Sequence, residues 1–274
     1  MSASVRERFA AAAREERPDL AELCLLVGAE ADPALDGAAL DAAQIELDRL
    51  AGLLPHGLAE PMEWAAALHR VLGAGHGFHG TPADYQRLES SLLQQVLVRR
   101  RGLPILLSVV WIEVARRAGA HVYGVGLPGH FVVGLGDPDG SHVLVDPFDG
   151  GRALSAADTE LIVAGATGAA LTPAMLTPAD PLDTVQRVLN NIRAWAAPRP
   201  ELRPVQLWTL ELTLLMPRHP AKLRYERARL LVDMGDFLGG AAEMDEYAEI
   251  IGAFDPETAR AMRAEARSAR ARLN

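Results

Sequence analysis

The chain has 274 residues, of which 49% are hydrophobic, and a formal net charge of −9. The length allows one large domain or two small ones, the apolar content excludes a disordered chain, and the acidic balance argues against nucleic acid or an anionic membrane surface as partner. The single cysteine, Cys24, excludes an internal disulfide and fits a reducing cytoplasm. The N-terminal run MSASVRERF is polar, unlike a secretory leader, and no apolar run reaches membrane-spanning length.

In chain order, residues 4–16 read as a charged amphipathic helix. Pro18 to Glu30 carries Leu20, Leu23, Leu26 and Val27 at helical spacing, and Asp32-Pro-Ala-Leu-Asp-Gly37 breaks it. A second helix is expected over Ala38–Leu53, and a third from Glu60-Pro-Met-Glu through Trp64 and Leu68 to Leu72. Gly73, Gly75, Gly77 and Gly80 make the next segment irregular. His76 and His79 lie in it three apart, a spacing that metals accept, but no further ligand cluster is near; a surface or packing role is the expectation, with no metal or cofactor. Ser90 or Ser91 is the expected N-cap of a short helix, Leu92–Arg99.

From Arg99 to Phe148 the pattern tightens. Arg99, Arg100 and Arg101 form a basic run that reads as a solvated helix end, with an anion or partner contact as the functional alternative. Pro104 sits where a helix would start, because its fixed φ suits the first turn and its missing N–H is no loss there. Ile105 to Ala115 is apolar apart from Ser108 and Glu113, which marks a central helix; Glu113 is expected at its exposed edge. Arg116 and Arg117 suit the last turn, and Gly119 is the natural stop. Three β-rich runs follow, His121–Gly126, His130–Leu135 and His142–Val145. Asp137-Pro-Asp-Gly140 is a turn, so a hairpin brings the His130 end of one strand near the Asp146 end of the next. By spacing alone His130 is a strand-start histidine satisfying backbone groups, and Asp146, before Pro147, a turn residue.

After the core come a turn, Asp149-Gly-Gly-Arg152, and a helix, Ala156–Val163. Leu171 to Pro181 holds three prolines and is the expected linker. Helices are expected at Asp183–Trp195, Val205–Met216, Ala221–Met234, Phe237–Ile251 and Pro256–Arg272. Tyr225, Ala228, Leu231, Met234 and Gly235, then Ala241, Ala242 and Tyr247, resemble a tetratricopeptide repeat, with small residues where two helices cross. The expected fold is α+β, with two domains, 1–180 and 181–274, the second all-helical.

A buried helix, a strand led by His and an antiparallel strand ending in Asp-Pro resemble the core of the transglutaminase-like cysteine-protease superfamily. The pieces Phe78, Gly80 and Tyr85, then VLVRRRGLPILLSVVWIEVARR, GVGLPGHFVV, VDPFDGGRALS and RVLNNIR around Arg187, more closely resemble the SirB1 family, in which such a domain precedes tetratricopeptide-like helices. The resemblance implies a papain-like core and a G-x-C helix start. Gly102 matches its Gly, His130 its His and Asp146 its Asp, while Pro104 falls on the Cys. Cys24 lies in a different helix, and Ser108 is roughly 6 Å along the helix axis from its start. Two readings follow. The favoured one is a non-catalytic protein-binding or regulatory scaffold, with a protein partner held by the helical C-terminal module or the relic cleft. The alternative is a hydrolase or acyltransferase that uses His130 and Asp146 with a different nucleophile.

Overall fold

The computed structural model describes residues 4–272. The first helix starts follow local chemistry. Ser4, Asp19 and Asp36 each accept a bond from the third backbone N–H of the helix they open: α1 (Val5–Ala12), α2 (Leu20–Ala31) and α3 (Gly37–Ala51). Pro61 opens α4 (Pro61–Leu68), which runs into a π-helical turn at His69–Gly75. α5 (Leu93–Arg99) differs from expectation: Leu92 precedes it and supplies no side-chain cap. Ser90 and Ser91 are instead buried one turn earlier, because the Ser90 hydroxyl is drawn to the carboxylate of buried Asp84.

Pro104 is the first residue of α6 (Pro104–Arg117), and every side chain from there to Ala115 is buried. α2, α3, α4 and α5 all pack against this helix. Gly119, at φ 95°, takes the left-handed conformation that ends it. Four strands follow, β1 (Val122–Val125), β2 (Val132–Gly136), β3 (His142–Asp146) and β4 (Arg152–Leu154), paired antiparallel in chain order. Val133 stands opposite Val145, and Gly136 opposite His142, across the turn that Gly140 N–H closes onto Asp137 O.

The sheet is covered on both faces. α6 packs on β1 and β2, and Gly124 makes the contact close: an added Cβ would stand 2.7 Å from the Phe131 ring and 3.3 Å from Ile112. On the other face Val125, Val132 and Leu144 form a core with Val163 of α7 (Ala156–Thr167). The three-proline stretch lies against that same face rather than running free. Leu171, Met175 and Leu176 pack into the core, Pro178 pairs with Val125, and Ala179 N–H donates to Gly124 O at 2.8 Å. It thus covers backbone groups of an edge strand that would otherwise be open.

The chain divides into two compact units, Met1–Asn191 and Ile192–Asn274, with the division inside α8 (Pro181–Ala196). Among its described residues the second unit forms helices and no strand: α9 (Arg203–Leu215), α10 (Lys222–Asp233), α11 (Phe237–Ile251) and α12 (Pro256–Ala271) follow α8. Ala228, Ala241 and Ala266 share one of its cores, and Gly240 meets the Ala228 carbonyl so closely that a Cβ would stand 2.5 Å from it. The architecture is α+β, a small antiparallel sheet between helical N- and C-terminal regions. No helix of the described residues is long and apolar enough to cross a membrane.

Candidate functional site

Two glycines let the irregular 73–80 segment brace the turn after β3. A Cβ at Gly73 would stand 2.0 Å from Gly150 O, and one at Gly80 would stand 1.9 Å from the Phe148 ring. Backbone bonds hold the contact: Gly80 N–H donates to Phe148 O at 2.9 Å, and His79 N–H to Arg100 O at 3.2 Å. His69 Nδ1 adds a bond to Gly150 O at 2.8 Å. The same segment reaches the start of α6, where Gly102 fits beside Val96 and Leu103 N–H donates to Ser90 O. The glycine spacing marked a loop; that it is a buttress for Asp146 and Pro104 needed the tertiary contacts.

Asp84 locks this arrangement. Only 3% exposed, it accepts bonds from Thr81 N and Oγ1, both at 2.8 Å, and from Arg101 Nη2 at 3.1 Å. Arg99 lies 3.6 Å from its other oxygen. Arg100 turns the opposite way at φ 59°, pairs with Glu46 at 2.6 Å and lies over the Phe78 ring. Arg49 first, and Arg100 with it, hold the Glu46 carboxyl down at about 2. The basic run is therefore tied internally, not a solvated end, because two acidic residues distant in sequence reach it. Asp84 carries no motif that sequence reasoning had singled out.

The buttressed turn presents Asp146 to His130. His130 Nε2 lies 2.9 Å from Asp146 Oδ2, and Asp146 Oδ1 accepts from Phe148 N at 2.9 Å. That bond uses Nε2 and leaves Nδ1 as the other ring nitrogen. Among the described residues Nδ1 has no hydrogen-bond partner. The Phe148 ring stands edge-on to the imidazole, 6.0 Å between centroids. From α8, Arg187 Nη2 donates to Leu127 O at 2.7 Å and to His130 O at 2.5 Å, holding the turn that leads into β2. His130, Pro104, Leu103, Ile105, Tyr85 and Arg187 line a cavity of about 260 Å³ together with Gly129, Phe131 and Asn191. Burial, then the Asp146 charge, push the Tyr85 phenol above its ordinary value, and Arg187 opposes them.

A sequence model described as "Transglutaminase-like superfamily" matches residues 41–190. The chain belongs to the transglutaminase-like superfamily. It is 33% identical over 190 residues to a UPF0162 protein of Xylella fastidiosa, covering 68% of this chain and 67% of that one. A UPF0162 protein of Pseudomonas aeruginosa is also 33% identical, over 180 residues and 65% of each chain. Human F-box only protein 21 is 25% identical over 178 residues, covering 62% of this chain and 28% of that protein.

The other singled-out residues are accounted for locally. Cys24 is 1% exposed in α2; burial pushes its thiol far up, and Glu113 and Asp19 add to the effect. Ser108 is fully buried and its hydroxyl donates to Phe131 O at 3.2 Å, tying α6 to the start of β2. Glu113 is not at an exposed edge: it is 1% exposed, with Arg116 Nη2 at 2.7 Å and Arg117 Nε at 3.6 Å. Burial raises its carboxyl despite those partners. The helix is covered on that side too, so the charged residue of its middle must be paired. His76 Nδ1 bonds Val71 O and His79 Nδ1 bonds Gly77 O, each at 2.8 Å. No group of three metal-ligating side chains forms among the described residues.

Proposed function

We propose that this chain is a non-catalytic, SirB1-type transglutaminase-like protein that acts in the cytoplasm as a protein-binding or regulatory scaffold. Pro104 occupies the position at which the superfamily's nucleophile would stand. One observation carries the reading: Pro104, the first residue of α6, lines the same cavity as His130, whose ring is hydrogen-bonded to Asp146. In a Cys–His–Asp site the imidazole takes the proton of the nucleophile and the carboxylate fixes its tautomer, so both act only through the missing group. Neither other hydroxyl nor thiol weighed from the sequence replaces it. Ser108 spends its hydrogen on Phe131 O inside the helix, and Cys24 is buried and fully protonated at neutral pH. The helical second unit, built like tetratricopeptide hairpins around Ala228, Gly240 and Ala241, supplies a surface for a protein partner.

A second reading has one observation in its favour. The His130–Asp146 pair is intact and leaves Nδ1 facing no protein partner, an arrangement that could activate a bound water or a nucleophile brought by a substrate. Amide hydrolysis and transamidation assays on the wild type and on Cys24→Ser separate the two. No turnover is expected from either. Turnover that survives Cys24→Ser would replace the scaffold reading with the hydrolase or acyltransferase one.

A further inference from the structure

Arginines in this chain commonly sit with carboxylates. Arg117 pairs with Glu113, Arg101 with Asp84, and Arg227 with Glu211. Arg187 does not. Its two bonds both use Nη2 and both go to backbone carbonyls, and its guanidinium carbon lies 5.5 Å from the centre of the Phe131 ring. Burial lowers its pKa. Among the described residues the donors on Nη1 and Nε have no partner, although guanidinium can give five bonds. A half-buried cation without a counter-ion is costly, and the cost is relieved by an anion in the adjoining space.

That space is the cavity of about 260 Å³ beside Pro104. Its walls are mixed: Leu103, Pro104, Ile105 and Phe131 are apolar, while Tyr85, His130 and the Asn191 amide are further polar groups. Leu103, which precedes α6, gives that helix no side-chain cap, so the helix end adds a weak positive field. Asp146, the nearby carboxylate, is committed through both oxygens, to His130 and to Phe148 N–H. We infer that this cavity is a carboxylate-binding site, with Arg187 as the cation and the apolar carbon skeleton of the ligand against Leu103, Pro104 and Ile105. One cation suits a monoanion; a phosphate dianion would need a second. The volume suits one terminal amino-acid residue or a short branched acid. The inference deepens the scaffold reading, and rests on it, by naming what the cleft would hold in place of a reacting substrate.

The test is calorimetric titration of the full chain with three probes: acetyl-Ala-Ala-Leu with a free carboxylate, the same peptide as its C-terminal amide, and 3-methylbutanoate. The carboxylate peptide is expected to bind at least about tenfold tighter than the amide, the scale of one charge-assisted hydrogen bond. Equal binding by 3-methylbutanoate would identify a small acid as the source of the carboxylate, and preference for the peptide a chain terminus. Arg187→Gln is expected to abolish the difference. Because Arg187 also holds two carbonyls, a second variant is needed: Pro104→Asp places a tethered carboxylate at the cavity wall, where a helix start accepts it. It is expected to melt higher than Pro104→Asn and to block the probes. Binding of the amide as tightly as the acid, no binding of either carboxylate probe, or probe binding unchanged in Pro104→Asp would overturn the inference. Amide turnover by the wild type would end the scaffold reading alone, whereas loss of the acid-over-amide preference would end this inference alone.

Discussion

Restoring a thiol tests whether the His130–Asp146 pair is still competent. Pro104→Cys places the sulfur at the first position of α6, on the wall of the cavity that His130 also lines. An ordinary thiol with a pKa of about 8.5 is roughly 3% ionised at pH 7. A helix N-terminus and an adjacent imidazole bring such a thiol to about 7 or below, so roughly half or more is thiolate, a gain of about tenfold or more. Cys24 provides the internal reference. It is 1% exposed, and burial pushes its thiol far above the ordinary range. Its alkylation requires opening of the domain, and at a stability of about 5 kcal/mol the open fraction is on the order of 10⁻⁴. Iodoacetamide labelling at pH 7, followed peptide by peptide by mass spectrometry, should therefore modify the introduced thiol on the order of 10⁵ times faster than Cys24. Adding His130→Ala should slow that reaction by about tenfold, as the thiol returns toward its ordinary pKa. Loss of Pro at this site costs about 0.4–1 kcal/mol through the unfolded chain, so urea unfolding must be recorded alongside. If the introduced thiol reacts no faster than Cys24, or His130→Ala leaves its rate unchanged, the two residues do not face one site and the relic reading is wrong.

Three further outcomes follow from the buttress and the helices. Asp84→Asn should cost about 2–3 kcal/mol in urea unfolding, since it removes a buried acceptor from Thr81 and Arg101. Burial raises the Asp84 carboxyl, but Thr81 and Arg101 outweigh burial and leave it below its ordinary 3.8. Its stabilising contribution is therefore whole above about pH 4 and is lost as pH falls below 3.8 through the folded value; the variant should show a shallower acid limb, and an unchanged limb would count against the hub role. Gly80→Ala should cost about 1–3 kcal/mol, because its Cβ would stand 1.9 Å from the Phe148 ring and 2.9 Å from Gly102 O; an undiminished urea midpoint would show that the two loops are not in contact. Gly165 in α7 has nothing within 4 Å of an added Cβ, so Gly165→Ala should gain about 0.5–1 kcal/mol, whereas Gly240→Ala, at 2.5 Å from Ala228 O, should lose about 1–3 kcal/mol; thermal melts that move in the same direction would refute the helix crossing.

What the amino-acid sequence by itself determined was local. The Pro104 start, the Gly119 stop, the turn at Asp137–Gly140 and the all-round apolar α6 were readable because capping, turn chemistry and helical period act within a few residues. The hairpin also foretold that the ends carrying His130 and Asp146 approach each other, since turn and strand lengths set that register. β4 was not readable: three residues, Arg152–Leu154, become a strand only because β3 offers them an open edge. Tertiary structure alone decided the rest. Whether Glu113 is exposed depends on what covers α6, whether Arg99–Arg101 are free depends on Asp84 and Glu46, and whether the three-proline stretch runs loose depends on the bare edge of β1. Arg187 reaches the turn before β2 from 57 residues away in the chain, and the partner it lacks there is a property of the packed cavity. Burial, pairing and cavity shape are sums over residues distant in sequence, so no window of the chain contains them.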